Sequence, residues 1–156
     1  MIELFSRRVN AIELPENAVL TPLSLDEEIS SLSAILLDAD YYQLLRSGTV
    51  VIDGVTVLGA ACLIPFKAKA WLDLTERKAK GERVDRDDIS KHKKDIFRLS
   101  ALLIPGTKTI VNRAVWHDLQ AFFAAMQNES VATKQMKIAR TKEEILAVLA
   151  DQYVVV

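Results

Sequence analysis

Cysteine, histidine and glycine are scarce in this chain, and each shortage removes a class of chemistry. The 156 residues include one cysteine, Cys62, so an internal disulfide and a cysteine-rich zinc site are both excluded. The two histidines, His92 and His117, fall on separate predicted helices. Neither has a carboxylate at HExxH spacing, so both read as structural or surface residues. The five glycines are scattered, so no phosphate-cradling loop is encoded, and no Gly-x-Ser-x-Gly elbow occurs. No apolar run approaches the roughly 20 residues of a membrane helix. Lys and Arg number 20 against 21 Asp and Glu, so a net charge of -1 provides no overall field to recruit nucleic acid or an anionic membrane. Glu3 and Arg7-Arg8 interrupt the apolar N-terminus, which argues against a signal peptide and leads to a cytoplasmic expectation. No complete catalytic constellation is visible.

The composition that remains is globular. Half of the residues are apolar and 26% are charged, enough for a core without staples. The expectation is one domain over 1–156: a strand and connection over 1–23, a helical body over 24–150 and an apolar tail over 151–156. Residues 2–9 alternate weakly as a strand. Ser24 and Glu27 form a capping-box pattern ahead of a predicted helix over 25–37, and a short helix over 40–46 stops at Gly48. Two β-branched runs around Asp53-Gly54 predict a β-hairpin over 49–58. An antiparallel helix pair follows, 62–80 and 86–103, with Pro65 near the start of its first member and Asp85 capping its second. Asn112 caps a third long helix, Thr141 and Glu144 form a second capping box, and Tyr153 to Val156 reads as a strand or a groove cover. The fold class is therefore α+β and predominantly helical, with a small N-terminal strand, the hairpin and four or five packed helices.

The candidate chemistry centres on the helix pair. At helical spacing Leu63, Lys67, Ala70, Trp71 and Leu74 share a face, and Lys67 is the one charge in it. Such a lysine either snorkels to water or meets an anion such as a phosphate. Asp95 is placed to pair with Lys67, Lys91 or Arg98. Arg98 follows Lys94 by four residues, a like-charged pair that gains from a nearby anion. Asp38-Ala39-Asp40 has the D-x-D form of a divalent-metal pair, but it falls at a helix junction where a solvated role is favoured. The basic run Lys91 to Lys94 lacks aromatic interleaving, which argues against nucleic acid.

Two runs carry a family resemblance. Residues 63–78, from Leu63-Ile64-Pro65-Phe66-Lys67 to Arg77-Lys78, and then Lys91-His92-Lys93-Lys94-Asp95-Ile96-Phe97-Arg98-Leu99, resemble the C-terminal half of bacterial nucleotidyltransferase-like proteins. These have a polymerase-beta-type fold, and their relatives include abortive-infection toxins of toxin–antitoxin systems. Leu63, Ile64, Lys67 and Ala70 match the start of one helix of that group; Lys94, Asp95 and Leu99 match the core of the next. Residues 27–38 resemble the preceding region, so the resemblance spans 24–103. It implies transfer of a nucleotidyl group from a nucleoside triphosphate, with Mg²⁺ held by strand-borne carboxylates. It also implies roles: Lys67 on phosphate, Asp95 and Arg98 in support, and Glu3 as the third metal-binding carboxylate. The family's Gly-Ser turn and first two carboxylates have no counterpart here. The expectation is accordingly a C-terminal portion, from a truncated frame or a longer protein, ranked ahead of a protein that has lost catalysis; alone it is expected to be inactive or nearly so. The alternative is a non-catalytic helical module that binds an antitoxin-like protein or itself.

Overall fold

The computed structural model describes Leu4–Arg7 and residues 34–156, with side chains from Asp38 onward. Two compact units divide the chain, Met1–Gln43 and Leu44–Val156. In the first, β1 (Leu4–Arg7) pairs in parallel with β2 (Ala34–Leu37), Leu4 opposite Ala34 and Arg7 opposite Leu37. The strand expected near the N-terminus is present. The helix expected over 25–37 is corrected in part: its end, Ala34 to Leu37, is a strand, and 25–33 lie outside the described residues. Ala-Ile-Leu-Leu is a continuous apolar run that suits a paired strand as well as a helix, and the ladder to β1 takes it.

Helix α1 (Ala39–Gly48) begins where Asp38 caps it: the Tyr41 amide donates to Asp38 Oδ1 at 2.8 Å. Its last residue is Gly48. Strands β3 (Thr49–Ile52) and β4 (Val55–Leu58) form the expected antiparallel hairpin. Asp53 and Gly54 both have positive φ, 50° and 77°, which fits the right-handed strand twist and explains why this dipeptide makes the turn. Gly59 N–H donates to Gly48 O at 3.0 Å and closes the hairpin's base. Gly48 is required by proximity: a Cβ there would collide with the Cys62 side chain.

The second unit is built on α2 (Ala60–Ala79), which packs against α3 (Arg86–Leu99) and α4 (Arg113–Asn128). The core holds Ile64, Ala68, Trp71, Ile96, Phe97, Val115, Leu119, Phe122 and Met126. Trp71 meets Phe122 edge to face at 5.5 Å. The buried face of α2 is rotated from the expected stripe: Ile64 and Ala68 are fully buried, whereas Leu63, Ala70 and Leu74 are half-buried. α2 ends on a Schellman motif. Gly81, at φ 84°, donates to Lys78 O, and Glu82 donates to Arg77 O. Asp85 then caps α3 by accepting from the Asp87 amide, and a 3₁₀ turn (Ser100–Leu102) follows α3.

The final elements are β5 (Thr109–Val111), α4, α5 (Lys142–Gln152) and β6 (Tyr153–Val155). Asn112 caps α4 through the Val115 amide, and Thr141 with Glu144 completes the capping box of α5. The tail is a strand, β6, parallel to β5, with Thr109 opposite Tyr153. The described architecture is α+β and predominantly helical, with five α-helices among the described residues. No helix among them is long and apolar enough to cross a membrane.

Candidate functional site

Helix α2 carries Lys67 inward. Ile64 and Ala68, one turn before it and next to it, are fully buried, and Lys67 itself is 8% exposed. That is unusual for a lysine, whose ammonium is costly to desolvate unless it meets a partner. The partner comes from α3: Lys67 Nζ lies 3.9 Å from Asp95 Oδ2. On the outer side Asp95 Oδ1 lies 3.8 Å from Arg98 Nη1, and the Arg98 side chain is 59% exposed. One carboxylate thus stands between a buried cation and a solvated one. Both separations exceed hydrogen-bond length, so these are ion pairs without a short bond. Counted by themselves these three carry one net positive charge, and Arg98 is their solvated end.

The structure therefore brings together three of the residues singled out in the sequence: Lys67, Asp95 and Arg98. Glu3, the candidate metal carboxylate, lies outside the described residues. Asp38 acts as the cap of α1, which gives the D-x-D pair a structural role at Asp38. His117 is exposed on α4, and His92 is half-buried on α3. Among the described residues no group of three His, Cys, Asp or Glu is placed to hold a metal ion.

Two further features of α2 were not anticipated. The first is Lys69, which reaches Asp73 at 3.5 Å and Asp118 of α4 at 3.4 Å. Burial pulls its ammonium down, but Asp118 and Asp73 outweigh this and hold its pKa above the ordinary lysine range. The Lys69–Asp73 spacing of four was legible; Asp118 was not, because only the α2–α4 packing brings it near. The second feature corrects the placement of Pro65. The helix starts at Ala60, so Pro65 is inside it, past the first turn, and its missing N–H leaves Ala61 O without its helical donor. Tyr153 Oη, from the C-terminal strand, donates to that oxygen at 2.8 Å.

Cys62 is buried, and burial pushes its thiol pKa up, so it is a packed hydrophobe rather than an activated nucleophile. Compared with known proteins, the chain matches no family model, no curated protein and no solved structure.

Proposed function

We propose that this chain is the C-terminal portion of a nucleotidyltransferase-like protein, supporting transfer from a nucleoside triphosphate and inactive alone. The observation that supports this reading is the buried Lys67, held beside Asp95 where α2 packs against α3. A lysine held at that place is a fixed point charge, and the phosphates of a nucleoside triphosphate are the kind of ligand such a charge meets. In this reading Arg98 meets the incoming phosphate first, Asp95 yields part of its contact with Arg98, and Lys67 supplies the point charge behind it. The carboxylates that would hold Mg²⁺ belong to the part of the protein that the resemblance places before this chain, with Glu3 as the candidate retained here.

The test is a titration of the ¹⁵N-labelled chain with ATP and GTP in the presence of Mg²⁺. Amide shifts are expected to move around Lys67, Asp95 and Arg98 and to vanish in Lys67→Met. A wild-type spectrum unchanged at saturating nucleotide would overturn the phosphate role.

A second reading, a non-catalytic module that binds an antitoxin-like protein or itself, is favoured by a different observation. Every residue of β3 is exposed, and the hairpin strands carry no charge. Alternation puts Val50, Ile52, Val55 and Val57 on one face, with Val50, Ile52 and Val55 between 48% and 61% exposed. An isolated two-stranded hairpin is marginal in water, and an uncharged open edge readily adds another strand.

A further inference from the structure

Proline in a helix interior removes one rung of the hydrogen-bond ladder and tends to kink the helix there. In α2 the lost rung is the one from residue 65 to Ala61 O, and the rung is replaced from far away in sequence. Tyr153 Oη donates to Ala61 O at 2.8 Å. The phenol is well placed to do so: Tyr153 is 5% exposed, at the junction of α5 and β6. The parallel ladder with β5 fixes its height, and the neighbouring Gln152 Nε2 donates to Thr109 Oγ1 at 3.0 Å. Burial, and then Cys62 nearby, push the phenol pKa up, so it remains a donor. Lys67 follows Pro65 by two residues, on the turn that a kink would reorient.

We propose that Tyr153 is a positioning residue for Lys67: its O–H stands in for the N–H that Pro65 lacks and holds the 61–67 turn so that the ammonium meets Asp95. A phenylalanine would fill the same volume but leave Ala61 O without this donor in a part-buried turn. The functional consequence rests on the nucleotide reading above; the positioning itself rests only on the geometry. Small displacements of a charged group are costly to ligand binding, because the binding geometry is set before the ligand arrives.

The experiment compares wild type, Tyr153→Phe, Pro65→Ala and the double variant of the full chain. It follows the ¹³C shifts of Lys67 Cε and Asp95 Cγ, and the dissociation constant for ATP with Mg²⁺. Tyr153→Phe is expected to move both side-chain shifts and to weaken ATP binding by about threefold, a modest change on the affinity scale. In the Pro65→Ala background residue 65 regains an N–H for Ala61 O, so adding Tyr153→Phe is expected to change neither readout. Lys67 and Asp95 shifts that stay in place in Tyr153→Phe, even with a lowered melting temperature, would make Tyr153 merely structural and overturn the proposal. So would a Tyr153→Phe effect that is equally large in the Pro65→Ala background. If wild type binds no ATP, the nucleotide reading fails, while the side-chain shifts still decide the positioning role.

Discussion

Tyr153 and Cys62 couple folding to alkaline pH. Both are buried, and burial raises the pKa of each above its ordinary value. Below the unfolded values, about 8.5 for a thiol and about 10 for a phenol, both states hold these protons and no stability is lost. Above them the unfolded chain releases protons that the folded chain keeps, so stability falls as pH rises. Between its unfolded and its folded pKa each group contributes a slope on the order of 1.4 kcal/mol per pH unit. Urea midpoints at about pH 8 and about pH 11 are expected to show this drop, with Tyr153→Phe giving a shallower one above about pH 10. At this scale the sequence named Lys67 as an odd charge in an apolar stripe. Which way its side chain went was settled by α3, because spacing along α2 alone allows both a snorkelling and an inward lysine.

Helices α3, α4 and α5 are tied at one point by two lysines. The Lys142 ammonium, in the first turn of α5, donates to Met126 O at 3.0 Å, Gln127 O at 3.4 Å and Glu129 O at 3.2 Å, around the C-terminus of α4. Lys93 of α3 adds a bond to Glu129 Oε2 at 2.7 Å and one to Ser130 O at 3.2 Å. Terminal carbonyls carry the negative end of the helix dipole, so cations here are favourable. Lys142→Met keeps the apolar stem but removes these donors; a loss of about 2 kcal/mol is expected from urea unfolding, with Lys142→Arg recovering part of it. The sequence read the caps well, because Asp85, Asn112 and Thr141 act on amides two or three residues away. It misread Ala34 to Leu37 and gave no sign of β5, since a strand of three or four residues is defined by its partner rather than by its own period.

The exposed hairpin bears on the molecule as a whole. Val50, Val51, Ile52 and Val55 place a row of β-branched side chains in water, with Val51 at 69% exposure on the face opposite Val50. Such a surface is open to association. If the chain self-associates through it, light scattering across a concentration series gives a mass above that of one chain, and Ile52→Lys with Val55→Lys returns it to one chain. A single-chain mass at every concentration would remove self-association from the second reading.

By itself the sequence determined the helix pair, its caps, the Asp53-Gly54 hairpin and the α+β class, because each depends on contacts within a few residues or on one hydrophobic period. It also limited the chemistry, since one cysteine, two histidines and scattered glycines leave few reactive combinations. Only the tertiary structure decided that Lys67 lies buried between helices beside Asp95, that Lys69 reaches Asp118, and that Tyr153 completes the helix that Pro65 interrupts. Those pairings join residues far apart in the chain, and their partners are chosen by packing, which local patterning does not encode. Pro65 was legible as a missing donor; that the missing hydrogen bond is supplied from the last strand is a property of the fold.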